Sequence, residues 1–222
     1  MNVLNFINAF FNDSAHWQGY DGIPTRLWEH VQYSVEALVL AAAIGLPIGL
    51  VTGHYGRGGN VLSLVATAGR ALPTFGLLVV TTIVLGFGLL PVMIPLVVLA
   101  VPPILVTTYE AMRSVDPSPV DAARGMGMRE SDILLRVELP VALPIILGGL
   151  RSAAIQIVST ATIAAYVSLG GLGRYIVDGL YQHDYEKVVG GATLVAGLAL
   201  ATLALFWAAT KLTVSPGVRR SN

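Results

Sequence analysis

A charged amphipathic segment, DPSPVDAARGMGMRESDILLRVELP from Asp116 to Pro140, lies between two long apolar stretches. Acids, arginines and small apolar residues in such a segment suit reversible binding to another protein, and they include no arrangement for bond-making chemistry. We expect a short helix that begins at Asp116 with the proline and serine after it. A sharp bend at Gly127 should lead into a second helical segment from Glu130 to Val137.

The first of these helices should present a small apolar face made by Val120, Ala123, Met126 and Gly127. Ala122 and Ala123 would let a partner surface approach closely, because their side chains are small. The pattern predicts a short helix that inserts into a cleft of another protein, and a plain helical loop is the alternative.

Nucleotide hydrolysis is not expected from this chain. A phosphate-cradling loop needs a glycine-rich turn followed by lysine, and the two lysines, Lys187 and Lys211, do not follow glycine. The four histidines are scattered near the ends of apolar stretches and resemble no metal site, so each is interpreted as an interfacial or loop residue. There is no cysteine for a disulfide. The net charge is zero, so the composition gives no sign of the basic surface that nucleic-acid binding would need.

The composition indicates the kind of protein in which the charged segment lies. Of all residues, 55% are hydrophobic and 12% are charged, and the mean hydropathy is +0.72. These values are typical of an all-α integral membrane protein embedded in the lipid bilayer. A span needs about 20 apolar residues, and the charge-free stretch 71–109 is long enough for two, with a break between Gly86 and Pro91. Five spans are predicted, at 33–53, 61–86, 91–112, 142–166 and 189–211.

Basic residues in short loops are retained in the cytoplasm, and they predict an outside amino terminus and a cytoplasmic carboxyl terminus. On this assignment Arg57, Arg113, Arg124, Arg129, Arg136, Lys211, Arg219 and Arg220 are cytoplasmic, against Arg26, Arg174 and Lys187 outside. Residues 1–30 are expected to be an outer interfacial or flexible segment, 31–212 the transmembrane domain, and 213–222 a cytoplasmic tail.

The charged segment also carries a recognisable spacing. Asp121-Ala122-Ala123, three residues, Gly127, nine residues and Val137-Glu138-Leu139-Pro140 reproduce the EAA motif, with Asp for Glu and Val for Ile. In this the chain resembles permease subunits of ATP-binding-cassette (ABC) importers of the methionine-permease-like, type I fold. The resemblance implies that loop 113–140 couples to an ATPase through Asp121, Ala122, Ala123, Gly127, Val137, Leu139 and Pro140.

The same resemblance implies the partners: a cassette ATPase dimer that carries ATP and Mg, a second permease copy or a paralogous permease, and an extracytoplasmic substrate-binding protein. It implies a bacterial-type cytoplasmic membrane. From residue 27 to 212 the chain is most similar to permeases for glycine betaine, choline and carnitine. The segments that carry this similarity are 71–76, 115–117, 122–128, 137–144 and 170–173. Permeases for methionine or another small amine share many of the residues in these segments and remain the alternative.

Polar residues within the spans are the candidates for a translocation path. Ser152, Gln156, Ser159 and Thr160 share one face of the fourth span, although a role in helix packing is equally compatible. The outer stretch 170–187 contains Arg174, Asp178, Asp184 and Glu186, which would suit docking of the binding protein or simply an ordinary solvated loop.

Helix packing and kinks are also predicted from small and cyclic residues. Gly45, Gly49 and Gly53 recur every fourth residue and predict a contact face for a neighbouring helix. Prolines within the spans favour kinks.

An ion-coupled secondary transporter is the alternative from another class, but it would usually place an ionisable residue near the bilayer centre and show an internal repeat, neither of which is found.

Overall fold

The computed structural model describes residues 2–213, apart from the side chain of Arg70. The tail predicted at 213–222 therefore lies outside the described residues except for its first. Within the described part the chain is all helical and has no strand. The helices are α1 (Val3–Asn12), α2 (Ile23–His54), α3 (Gly59–Ala71), α4 (Thr74–Leu85), α5 (Leu89–Arg113), α6 (Pro117–Gly125), α7 (Glu130–Ile133), α8 (Leu139–Thr160), α9 (Gly173–Gln182) and α10 (Tyr185–Thr213).

Four uninterrupted apolar segments of the described chain can cross a membrane: α2, α5, 130–167 and α10. The pair α3 and α4 makes a fifth crossing if the two count as one broken span. This matches the five spans expected from the sequence and confirms the all-α membrane fold.

The second span is not the single helix expected over 61–86. It breaks between α3 and α4, whose axes are bent by 82°. The cause lies at Pro73, because proline disfavours helical geometry in the residue before it. Leu72 is accordingly extended, with φ −73° and ψ 123°.

The packing of α2 on α5 depends on the three glycines at every fourth position of α2. A Cβ atom on Gly45, Gly49 or Gly53 would stand 3.0, 2.7 or 2.6 Å from the side chain of Ile104, Thr108 or Met112 respectively. At 2.7 and 2.6 Å the neighbouring atoms would have to shift, and at 3.0 Å the contact would be tight, so glycine allows the closest approach of the two backbones. The predicted contact face is confirmed.

The amino-terminal segment is more ordered than a surface tail. The Phe10 ring of α1 is fully buried, and a methyl group at Gly190 of α10 would overlap it. The boundary expected at residue 30 falls inside α2, which begins at Ile23 because Gly22 is the N-cap and Pro24 occupies the first turn. Segment 1–30 therefore includes the start of the first span.

Candidate coupling site and translocation path

Helix α6 begins and ends as its sequence dictates. The Asp116 carboxylate accepts a hydrogen bond of 2.9 Å from the Ser118 backbone N–H, and this bond holds the pKa of Asp116 below its usual range. Beyond the helix, Gly127 has φ +81°, a left-handed conformation that favours glycine. The Met128 N–H then donates to the Ala123 carbonyl at 3.1 Å. The bend predicted at Gly127 is confirmed.

The apolar residues of α6 divide between two surfaces. Val120 and Ala123 are buried against Ile133, whereas Met126 is 77% exposed and Gly127 is exposed. The single apolar face expected from these positions is therefore wrong, because α7 folds back and covers one side of α6. Asp121 and Ala122 remain on the open side.

The second half of the motif anchors this unit to the membrane helices. Val137 packs against the buried cluster of α6 and α7, and Leu139 packs against a cluster that includes Ala111 and Ile146. Pro140 is exposed in the first turn of α8. The motif thus combines an open surface at Asp121, Ala122, Gly127 and Pro140 with buried contacts from Ala123, Val137 and Leu139.

An ionic cluster that the sequence did not reveal joins these helices. Arg124 binds Glu130 through two hydrogen bonds of 2.8 and 3.0 Å and lies 3.4 Å from Asp121. Glu130 Oε2 is 3.1 Å from Nε2 of His54, and the other ring nitrogen lies 2.5 Å from Glu138 Oε2. The His54 side chain is only 3% exposed, so it packs within the chain at the end of α2.

The candidate path residues do share one face of α8, as their spacing requires. Ser152, Gln156 and Ser159 are exposed in the single chain, and Thr160 is half-buried. The opposite face is buried and contains Ala153, Ala154, Ile157 and Val158. The Ser152 hydroxyl donates to the Gly148 carbonyl at 3.1 Å, so part of its bonding capacity is used within its own helix.

Irregular turns bound α8 on both sides. Leu134–Glu138 forms a π-helical turn before it, and Ala161–Val167 continues it as a 3₁₀ helix. Such a 3₁₀ turn bonds each N–H to the third residue back, which leaves the Val158 carbonyl without its α-helical partner. Nε2–H of the buried His30 donates to that carbonyl at 2.8 Å, and a histidine of α2 therefore supports the change in winding.

The stretch 170–187 is not an open loop, since much of it forms α9. Arg174 pairs with Asp178 at 2.9 Å, and Asp184 lies 3.6 Å from Lys187. Three of the four proposed docking residues are thus in local ion pairs, and Glu186 is exposed. The side chains of Leu180, Tyr181 and Tyr185 are exposed beside it.

A second unpredicted cluster fixes α9 to the start of α2. Arg26 bridges the carboxylates of Asp21 and Glu29, and Glu29 also accepts a hydrogen bond of 2.7 Å from the Gly171 N–H. Tyr175 donates its hydroxyl to the Asp21 carbonyl at 2.6 Å, and burial raises the pKa of Tyr175 to about 12. The hydroxyl therefore stays protonated and remains a donor at neutral pH.

This arrangement of spans with a two-helix unit between α5 and α8 is the type I permease fold of ABC importers. Residues 45–220 match the family described as binding-protein-dependent transport system inner membrane component, and the chain belongs to that family. It is therefore a multi-pass membrane protein and the permease subunit of an ABC importer. Subunits of this kind are not themselves catalytic.

Curated relatives match along most of the chain. The carnitine transport permease protein OpuCB of Listeria monocytogenes is 31% identical over 197 residues, 89% of this chain and 88% of that protein. The choline transport system permease protein OpuBB of Bacillus subtilis is 32% identical over 175 residues, 79% of this chain and 81% of that protein.

A solved structure has the same fold. In an inward-facing structure of the MetNI methionine ABC transporter, one chain superposes with a TM-score of 0.74 at 24% identity, covering 85% of this chain and 94% of that one. At this identity the likeness concerns the fold alone.

Proposed function

We propose that this chain is the permease of an importer for osmoprotectants such as glycine betaine, choline or carnitine. The observation that carries the proposal is the similarity to carnitine and choline permeases at about 30% identity over most of both chains. The methionine importer shares the fold at 24% identity, and a likeness at that level supports no choice of substrate.

The path would run along the exposed face of α8 formed by Ser152, Gln156, Ser159 and Thr160. These hydroxyl and amide groups carry no fixed charge, which suits a zwitterion such as glycine betaine because its two charges sum to zero. Tyr166 follows the same helix, is 48% exposed and makes an edge-to-face contact with Phe75 at 5.2 Å. Aromatic faces attract quaternary ammonium groups.

A polar face exposed on a membrane helix requires cover from another protein. A second permease, either another copy or a paralogous chain, would supply it and complete the path. A dimer of cassette ATPases would hold ATP and Mg at the other side of loop 113–140. Its contact with this chain would be the open surface of Asp121, Ala122, Gly127 and Pro140, supported from within by Ala123, Val137 and Leu139.

The orientation proposed from the basic residues places the α6 unit in the cytoplasm and α9 outside. The extracytoplasmic binding protein would then dock on α9 and the start of α10, near Arg174, Asp178, Asp184 and Glu186. Because three of these four already take part in local ion pairs, Glu186 and the neighbouring exposed tyrosines offer the freer contacts.

The test is uptake of labelled glycine betaine, choline, carnitine and methionine by a deletion strain, with and without this chain, at low and high osmolarity. Restoration of betaine, choline or carnitine uptake would support the proposal. Restoration of methionine uptake alone would leave the permease fold intact and refute the substrate.

A further inference from the structure

His54 lies at the end of α2 with a carboxylate on each side of its ring. Nδ1 is 2.5 Å from Glu138 Oε2, and Nε2 is 3.1 Å from Glu130 Oε2. The side chain of Glu138 is also buried, at 8% exposed. Two buried groups that meet across 84 residues of chain form a built contact.

The two ring contacts of His54 differ in kind. Nδ1 forms a hydrogen bond with the buried Glu138 carboxyl group, whereas Nε2 lies within ion-pair distance of Glu130. A buried carboxyl group that lost its hydrogen-bond partner would be costly to keep in place. The His54 ring therefore holds Glu138, and with it the start of α8, against the end of α2.

His54 completes a chain of polar contacts through four elements. Arg124 belongs to α6, Glu130 to α7, His54 to α2, and Glu138 to the π-helical turn that leads into α8. The side chains of His54 and Glu138 are buried, whereas those of Arg124 and Glu130 are partly exposed. Other charged groups near this cluster are Asp121 on Arg124 and Arg113, whose guanidinium lies beside Gly56.

We propose that His54 is a positioning residue for coupling, and that its contacts with Glu130 and Glu138 tie α6 to both α2 and α8. The proposal rests on the proposed contact between loop 113–140 and the ATPase. When nucleotide closure displaces α6, the chain of polar contacts makes the ends of α2 and α8 move with it. Loss of the His54 ring would leave the buried Glu138 without its hydrogen-bond partner and would loosen that connection.

The decisive experiment compares His54→Gln with wild type in proteoliposomes that contain the complete importer. The quantity measured is substrate transported per ATP hydrolysed. In His54→Gln this ratio should be lower by about tenfold, as expected for residues that share one network of polar contacts, while ATP hydrolysis itself persists. His183→Asn, at an exposed position with φ +59° that asparagine tolerates, is the matched control.

Two further measurements separate coupling from folding and from substrate. The double variant His54→Gln/Glu138→Gln replaces the buried carboxyl group by an amide and should regain assembly if the single variant loses it, while its coupling ratio stays low. A coupling ratio in His54→Gln equal to that of the control variant would overturn the proposal.

The chain contains no cysteine, so spin labels on Met126→Cys and Ser152→Cys can report MgATP-driven movement of α6 relative to α8 even if no tested osmoprotectant is transported. In that case the substrate proposal fails, and the label distance still tests His54. A distance that stays constant in wild type and changes with MgATP in His54→Gln supports the positioning role. An equal response in both proteins overturns it.

Discussion

Replacing Gly127 by valine should weaken the contact with the ATPase through the backbone alone. No atom stands within 4 Å of a Cβ built at this position, so the added side chain meets nothing within the chain. Its φ of +81° nevertheless costs an L-residue about 1–2 kcal/mol, and more for a β-branched one. About 1.4 kcal/mol corresponds to a tenfold change in an equilibrium constant. The ratio of chains with the native turn to chains with alternative turns should therefore fall about tenfold.

The apparent affinity of a partner decreases with the fraction of chains in the competent conformation. We therefore expect Gly127→Val to bind the purified ATPase up to about tenfold more weakly, measured by titration of the permease in detergent micelles. Transport should fall with it. Insertion into the membrane should be unchanged, because the site lies outside the spans.

Two matched variants separate backbone strain from the bulk of the side chain. Gly127→Asn introduces a side chain of similar size that tolerates the left-handed region, and it should retain most of the affinity. Gly125→Val places valine two residues earlier, where φ is not positive and no atom lies within 4 Å of the Cβ. If asparagine weakened binding as much as valine, or if the two valine variants behaved alike, the argument from backbone strain would be refuted.

Three other changes test the fold. Gly49→Ala should cost about 1–3 kcal/mol by overpacking against α5 and should lower the thermal midpoint in detergent, whereas Gly197→Ala, with no atom within 4 Å of its Cβ, should not. Phe10→Ala should cost about 3–5 kcal/mol at this packed site and should make α1 more sensitive to limited proteolysis. Asp116→Ala should lower the protection factor of the Ser118 amide, which is the intrinsic exchange rate divided by the observed one. The protection factor of wild type should also fall on acidification, because a carboxylate whose pKa is lowered in the folded state stabilises above its ordinary pKa and loses that effect as pH falls through the lowered value.

The features that could be predicted from the sequence are those decided by nearby residues. The cap at Asp116, the bend at Gly127 and the glycine face of α2 each depend on a few positions within one element. The prolines show where this local reasoning ends. Pro73 stands between α3 and α4. The prolines inside continuous helices are Pro47, Pro95, Pro102, Pro103 and Pro144.

The ionic cluster could not be predicted because its members come together only through the fold. His54 meets Glu138 across 84 residues, and His30 meets the Val158 carbonyl across 128. Neither histidine has a motif around it, and a histidine at the end of an apolar stretch is compatible with a place at the bilayer surface. The ion pair of Arg174 and Asp178 was not anticipated for a different reason. Residues four apart come together only on a helix, and the stretch was expected to be a loop rather than α9.

The 3₁₀ segment after Thr160 has a consequence for the length of its span. Its seven residues rise about 2.0 Å each, or about 14 Å in total. The same residues in an α-helix would rise about 1.5 Å each, or about 10.5 Å. If these residues rewound as an α-helix, the span would shorten by about 3.5 Å without sliding past its neighbours. A distance measured along it between two transport states would then report winding as well as tilt.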